Sequence, residues 1–185
     1  MDRSKRTQCG FSMIELMMVC AIAVILTVMA VPLYQSNLQI SNADSAAQLI
    51  AQELRLAKAL AVSTNGPVLV KFDPSANAVS VAPATGSARG PFILPGKMMF
   101  LKAAAPLDTP DALGAKVLGV DKNTTITFLN NGTVATDESG ATICSGTFFL
   151  QNENGDVITN RAVTLVGGTG KMRIWKYSPK NTSWY

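Results

Sequence analysis

The chain has 185 residues and a net charge of +4, which is enough for one ordinary globular domain with an appendage and too little for two independent cores. It is 48% hydrophobic and only 15% charged, with a mean hydropathy of +0.22, and this composition excludes a disordered chain. The sequence contains no histidine. Catalysis by a Ser-His-Asp or Cys-His arrangement and histidine-based metal sites are therefore excluded before any motif is considered.

The three cysteines, Cys9, Cys20 and Cys144, predict neither a disulfide framework nor a metal site. They contain no CxxC pair, and only Cys144 falls in the part of the chain that has a globular composition. Without a histidine to activate it, Cys144 is interpreted as a packed small side chain. No metal and no cofactor is predicted.

An almost unbroken apolar run, FSMIELMMVCAIAVILTVMAV, occupies residues 11–31. Its polar interruptions are Ser12, Glu15 and Thr27. A helix of this length spans roughly 30 Å, the thickness of the hydrocarbon core of a bilayer. Residues 1–10 carry three cations and one acid, and this net charge of +2 predicts that the N-terminus stays in the cytoplasm while the rest of the chain is exported.

Three interpretations of this run are open from its composition. It is a secretory signal peptide cleaved after Val28-Met29-Ala30, an uncleaved membrane anchor, or a prepilin leader followed by the membrane helix of a pilin. The first two leave Glu15 unexplained, because a carboxylate within an apolar run costs a few kcal/mol in lipid unless it finds a partner.

The start of the run carries a resemblance to a known signature. The residues are Gly10-Phe11-Ser12-Met13-Ile14-Glu15-Leu16. They resemble the type IV prepilin motif, although Ser12 and Met13 replace the commoner Thr-Leu. The resemblance implies that a prepilin peptidase cuts between Gly10 and Phe11 and N-methylates Phe11. It also implies that Glu15 neutralises the N-terminal ammonium of a neighbouring subunit during assembly, a pairing of two charges that are each costly in lipid.

The helical pattern continues beyond Pro32, which removes one backbone hydrogen-bond donor. Between residues 38 and 62, apolar residues recur every three or four positions, which predicts an amphipathic helix that one face of a sheet must cover. The tripeptide Asn65-Gly66-Pro67 predicts the end of this helix, with Gly66 as its left-handed cap.

Short strands separated by turn residues follow the helix. The predicted strands are residues 68–72, 78–81, 125–129, 133–135, 147–150, 162–166 and 172–177. Residues 83–118 are rich in proline and glycine and predict a long loop with at most short strands. We therefore predict an α+β fold in which one long helix packs on an antiparallel sheet.

The second half of the chain is similar to the GspH/FimT-type pilin domain. The similarity lies in Ile126-Thr127-Phe128-x-x-x-Gly132, Asn154-Gly155-Asp156, Val163-Thr164-Leu165 and Gly170-Lys171-Met172-Arg173. It implies a pilin fold with a leader at 1–10, a long helix at 11–65 (transmembrane at 11–31) and a β-rich head at 66–185. The same resemblance implies a non-enzymatic minor pilin.

The end of the chain is basic. After Asp156 it carries five cations and no acid, interleaved with aromatic residues, and such a pattern can bind nucleic acid through phosphates and stacking. In the FimT branch a Gly-Arg-x-Arg stretch is associated with DNA binding, and Gly170-Lys171-Met172-Arg173 resembles it with lysine in place of the first arginine. The resemblance implies Lys171 and Arg173 as candidate DNA-binding residues, and the basic pattern adds Lys176. The alternative interpretation is that all three merely point outward from a final strand whose other face is partly core.

Other patterns that suggest chemistry have simpler explanations. The acidic pair Asp137-Glu138 follows a predicted hairpin, and Asp108 and Asp111 lie in the irregular loop; neither pair has the spacing of a calcium site. The run Gly167-Gly168-Thr169-Gly170 lacks the context of a phosphate loop and predicts a tight turn between strands.

The resemblance as a whole implies a minor pilin that assembles into a priming or tip complex and initiates or caps a type IV pilus. Two alternatives are a minor pseudopilin of a type II secretion system and a DNA-binding minor pilin for uptake. The implied partners are other major and minor pilins or pseudopilins, the prepilin peptidase, the inner-membrane assembly platform, inner-membrane lipid and, in the last alternative, DNA. The implied location is the bacterial inner membrane, with the head in the periplasm, and then the fibre at the cell surface.

Overall fold

The computed structural model describes residues 12–84, 86–101, 109–114, 117–118, 124–136 and 142–185. The chain divides into two compact units, one that ends at Leu38 and one formed by Gln39–Tyr185. We call the second unit the head; it includes residues 39–65 of the helical region as well as the predicted β-rich part at 66–185. The leader residues Gly10 and Phe11 lie outside the described residues.

One helix, α1 (Met13–Ser63), contains the apolar run, Pro32 and the amphipathic segment. Every described side chain up to Leu38 is exposed. Beyond that point a stripe of small and branched apolar side chains is buried, at the spacing that the sequence predicts. The stripe consists of Ala43, Ala46, Ala47, Ile50, Ala51, Leu54, Ala57 and Ala61. Alanine and leucine favour helix, and their small size lets the strands approach the helix closely.

The predicted cap of α1 needs a correction. Asn65, with a φ of 50°, is the left-handed residue, and Gly66 is not. The Gly66 N–H still donates to the carbonyl of Ala61, at 3.2 Å. Asparagine tolerates the left-handed region, and the Asn65 side chain also accepts a hydrogen bond from Asn130 at 3.0 Å, which gives this position a tertiary role that glycine could not supply.

Two five-stranded sheets follow the helix. The first has the order β3-β2-β1-β5-β6, and the second has the order β10-β9-β8-β7-β4; the named strand pairs are antiparallel. The strands of the first sheet are β1 (Val68–Asp73), β2 (Ala78–Pro83), β3 (Arg89–Ile93), β5 (Thr124–Phe128) and β6 (Val134–Ala135). The strands of the second sheet are β4 (Met98–Phe100), β7 (Gly146–Asn152), β8 (Arg161–Val166), β9 (Lys171–Ser178) and β10 (Ser183–Trp184).

Two short 3-10 turns complete the described elements, η1 (Pro95–Lys97) and η2 (Val157–Thr159). Strands β3 and β4 lie in the region that the sequence predicts as a loop with short strands, whereas β10 is not predicted. The tetrapeptide Gly167–Gly170 forms the turn between β8 and β9, as predicted.

The core lies between the buried stripe of α1 and the sheets. Phe72 of β1 stacks on Phe148 of β7 with ring centroids 4.4 Å apart, which joins the two sheets beneath the helix. Cys144 is fully buried in this core, as predicted. A second, smaller cluster of Phe149, Ala162, Tyr177 and Trp184 packs separately from it. The predicted α+β fold, one long helix packed on antiparallel strands, is confirmed.

Candidate functional site

The apolar run of α1 is the first candidate site. By length and composition, α1 is the described helix that could cross a membrane, and the most apolar part of it is not buried within the chain. Large apolar side chains remain well exposed along it, for example Leu26 at 62% and Met29 at 66%. An exposed apolar surface of this extent requires a partner, either lipid or other apolar helices.

Glu15 lies in the first turn of α1 and is exposed. Its backbone N–H and that of Leu16 donate to the carbonyl of Ser12, at 3.0 and 3.2 Å. Among the described residues, none forms an ion pair with the Glu15 carboxylate. The Glu15 carboxylate is therefore available to pair with a cation of another chain. The role of Glu15 in assembly stays a prediction.

The basic residues of β9 do not share one face. Lys171 and Arg173 are exposed, and the Arg173 guanidinium lies 5.9 Å from the ring centroid of Trp175. Lys176 belongs instead to the face of Met172 and Ile174, which contacts the core beneath α1. The alternative that all three residues point outward is therefore wrong for Lys176. The sequence could have predicted this difference, because Lys176 is an odd number of residues from Lys171 and Arg173 and side chains alternate between the two faces of a strand.

Lys176 joins a cluster that the sequence analysis missed. Its Nζ lies 2.8 Å from Oδ2 of Asp44 in α1, and Nε of Arg161 lies 2.6 Å from Oδ1 of the same carboxylate. Arg161 is 3% exposed. Its Nη1 also donates to the carbonyls of Ile158 and Asn160, each at 2.9 Å. The cluster fastens the start of the buried part of α1 to β8, β9 and η2.

The electrostatics of Asp44, which lies outside the apolar run, follow from these contacts. Burial by itself raises the pKa of this carboxyl, but the hydrogen bonds from Lys176 and Arg161 outweigh burial and hold the pKa below its usual value. Asp44 therefore stays ionised at neutral pH and neutralises part of the charge of its two partners.

A second group of cations lies at the opposite end of the head, where α1 ends. Arg55, Lys58 and Lys171 line an open cleft of about 630 Å³ together with small and apolar residues of α1 and the β8–β9 turn. The Lys58 Nζ donates to the carbonyl of Thr169, at 2.8 Å. No carboxylate lines this cleft in the described structure. We call it the basic cleft; the role of Arg55 and Lys58 was not predicted, because nothing in the sequence relates them to a turn more than 110 residues away.

The acidic pairs offer no site among the described residues. Oδ2 of Asp111 accepts a hydrogen bond from Oγ1 of Thr164 at 2.6 Å. Asp108, Asp137 and Glu138 lie outside the described residues. Within the described ranges, no three Asp, Glu or Cys residues come together as metal ligands.

The long helix, the exposed apolar run and the antiparallel head define a pilin-type subunit. The family model of the prokaryotic N-terminal methylation motif matches residues 5–31, and the model of the type II transport protein GspH matches residues 46–168. Since the second match covers well over half of the chain, the protein belongs to the GspH family of minor pilins and pseudopilins. Such families are structural, and their members assemble with other pilins or pseudopilins.

Two solved structures are similar to this chain, both of the type IV minor pilin FimU of Pseudomonas aeruginosa in different crystal forms. The first is 17% identical, with a TM-score of 0.47, and the match covers 80% of this chain and 94% of FimU. The second is 18% identical, with a TM-score of 0.44, and the match covers 75% of this chain and 94% of FimU. The search of curated protein sequences found no match.

Proposed function

We propose that this protein is a minor pilin that is anchored in the inner membrane through residues 11–31 and enters a pilus-type fibre, where it initiates or caps assembly. The observation that carries the proposal is the uncovered apolar surface of α1 up to Leu38, which holds a single acid, Glu15, near its start. The methylation motif and the apolar helix point to membrane anchoring and pilus assembly in general.

The proposed mechanism is an exchange of partners. In the membrane the apolar side chains of α1 contact lipid, and in the fibre they contact the corresponding helices of other subunits. The Glu15 carboxylate pairs with the N-terminal ammonium of a neighbouring subunit, which sets the stagger between helices because neither charge is stable alone in an apolar environment. The proposal places the head in the periplasm and requires the prepilin peptidase and the inner-membrane assembly platform.

Mass spectrometry of the mature protein tests this proposal. We expect an N-terminus at Phe11 carrying one methyl group, and cleavage after Gly10. A mature chain that begins after Ala30 would indicate a secretory signal peptide, and a chain that retains Met1 would indicate a plain anchor. Either result contradicts the proposal.

The location of the subunit after shearing distinguishes a type IV pilus from a type II secretion system. A type IV pilus extends from the cell, so we expect the subunit in the fraction of fibres sheared from the cell surface. A pseudopilin of a type II secretion system, the machine named in the matched family model, would remain in the cell envelope after shearing.

DNA binding is a second candidate function, supported by the basic cleft. Its three cations, Arg55, Lys58 and Lys171, have no carboxylate among the described residues that line the cleft, and such a group attracts phosphates. Arg173 extends the same positive charge along β9, beside the Trp175 ring. Lys176 contributes less in this arrangement because Asp44 neutralises it.

Binding of double-stranded DNA at several salt concentrations tests the second candidate. We expect Lys171→Gln and Arg173→Gln to weaken binding. Each should also reduce the slope of log affinity against log salt concentration by about 0.9 for every phosphate that is no longer neutralised. Lys97→Gln is the matched control, since Lys97 is exposed and already faces Glu153 at 3.5 Å. Unchanged binding by both the Lys171 and the Arg173 variant would exclude this candidate.

A further inference from the structure

The contacts of α1 define two ends of the head. At one end, Asp44 contacts Arg161 and Lys176, and Asn42 lies against Gly96. At the other end, Lys58 contacts Thr169. We call the first end the basal end because it adjoins the start of the buried part of the helix. The turn η2 and the end of β9 belong to it.

The basal end presents apolar side chains to solvent. Among the described residues of the head, the exposed large apolar side chains are Val62, Ile93, Ile143, Val157, Ile158 and Tyr185. Val157 and Ile158 are neighbours in η2, at 44% and 52% exposure, and Tyr185 is 67% exposed. Tyr185 exchanges backbone hydrogen bonds with Lys176, at 3.0 and 2.9 Å, and lines the same cleft as Ile158. Grouped apolar exposure with a polar rim marks an interaction surface.

The exposure of η2 is built into the fold. Arg161 holds the carbonyls of Ile158 and Asn160 from inside the head. Thr159 is 1% exposed, and its Oγ1 donates to the carbonyl of Asp156 at 2.6 Å. With the polar groups of the turn directed inward, the side chains of Val157 and Ile158 are fixed outward.

A cationic cleft adjoins these side chains. It has a volume of about 330 Å³ and is lined by Ile40, Ile158, Arg161, Lys176, Lys180 and Tyr185, among others. Three cations line it, and the carboxylate that faces them is that of Asp44, which pairs with two of them. Lys180 has no such partner among the ion pairs of the described residues. Tyrosine is enriched at the headgroup layer of a bilayer, and lysine extends its charged group to the same layer.

The position of the cleft in the chain favours the membrane surface as its partner. Ile40 follows the last residue of the apolar run, Val31, by nine residues, which span about 30 Å at most. With the apolar run in the membrane, the basal end can lie at most about 30 Å from the membrane surface. The basic cleft at Lys58 lies 18 residues further along α1, or about 27 Å along the helix axis.

We propose that the basal cleft rests on the bilayer before assembly and binds the phosphate of a phospholipid headgroup. Lys180 and Lys176 face the phosphate, while Val157, Ile158 and Tyr185 enter the interfacial layer. This inference rests on the proposed function, since it needs the apolar run to span the membrane. It gives the subunit a defined orientation in the membrane, from which it is released when it enters the fibre.

Fluorescence quenching in lipid nanodiscs tests this inference with the full chain. Cys9 and Cys20 are replaced by serine, and the fully buried Cys144 is retained. A fluorophore is attached at Val157→Cys or, as a control of similar exposure (52%) at the other end, at Val62→Cys. Headgroup-nitroxide lipids should quench the label at position 157 several-fold more than the label at position 62. Equal quenching in chains that resist carbonate extraction overturns the inference and leaves the proposed function intact.

A further variant tests the phosphate contact. Lys180→Gln should lower quenching of the label at position 157 in phospholipid discs and leave it unchanged in discs made of a galactosyl diacylglycerol, which has no phosphate. No change in either lipid would overturn the assignment of phosphate to the cleft. Extraction of the chain from the discs by carbonate would instead contradict the proposed function, so the two failures are distinguishable.

Discussion

The two halves of helix α1 are both rich in apolar residues, but they differ in how much of their apolar surface the chain buries. Up to Leu38 every described side chain is exposed, whereas from Ala43 onward a stripe of eight residues is buried against the sheets. The second half satisfies its apolar surface within the chain. The first half leaves its own uncovered, and this difference shows which part of the helix stabilises the head and which part is available to lipid or to other subunits.

The strongest test of this comparison removes one leucine from each half. Leu54 is fully buried, so we expect Leu54→Ala to lower the free energy of unfolding of the head by about 4 kcal/mol through reduced burial and a residual cavity. Leu26 is 62% exposed, and Leu26→Ala should leave this free energy unchanged. Urea unfolding in detergent, followed by tryptophan fluorescence, measures both. Equal effects of the two variants would contradict the comparison.

The contact between the second half of α1 and the sheets depends on Arg161. We expect Arg161→Met to destabilise the head by about 3 kcal/mol, because Asp44 keeps only one of its two cationic partners and the carbonyls of Ile158 and Asn160 lose the hydrogen bonds from Arg161. Lys97→Met is the control. It removes an exposed pair at 3.5 Å and should change stability by less than about 1 kcal/mol. Thermal unfolding of both variants provides the measurement, and a loss with Lys97→Met as large as with Arg161→Met would refute the role of the cluster.

The C-terminal part of α1 packs against the β8–β9 turn at Gly170. This residue has a φ of 58°, and a Cβ there would overlap the carbonyl oxygen of Gly132 and approach Lys58. We expect Gly170→Ala to cost about 2 kcal/mol of stability. Gly168→Ala in the same turn is the control, because nothing lies within 4 Å of its Cβ position. Similar melting temperatures for the two variants would show that the turn is not constrained as described.

The smallest expected effect concerns pH. The hydrogen bonds that lower the pKa of Asp44 in the folded head make its contribution to stability fully present above the unfolded value, at about pH 4. This contribution is lost as the pH falls through the lower, folded pKa. Asp44→Asn should therefore flatten the acid side of the stability profile, measured by urea unfolding between neutral and acidic pH. An unchanged profile would show that Asp44 is not linked to folding.

The sequence predicted what depends on local periodicity. The buried stripe of α1 follows from the spacing of its alanines and leucines, and the apolar run follows from composition alone. Asp44 contacts Arg161 and Lys176, which lie 117 and 132 positions further along the chain, so no local pattern in the sequence indicates this cluster. The misplaced cap at Asn65 has a similar cause, because the Asn130 side chain that bonds to it comes from a distant hairpin.

For the same reason, only some residues of the candidate site could be predicted from the sequence. Lys171 and Arg173 could be identified from their strand, and strict alternation would have separated Lys176 from them. Arg55 and Lys58 join Lys171 only through the packing of α1 on the β8–β9 turn. The predicted roles of Gly10, Phe11 and Glu15 remain predictions, because they depend on enzymes and subunits outside this chain.

Incorporation of Glu15 variants into fibres tests the central claim most directly. Processed wild type and Glu15→Leu should both reside in the membrane, and Met18→Leu, a neutral change in the same exposed half, should enter fibres as the wild type does. The account predicts that Glu15→Leu is absent from the purified fibre fraction, because the apolar surface remains but the ammonium of the neighbouring subunit has no partner. Incorporation of Glu15→Leu at the wild-type level would contradict it.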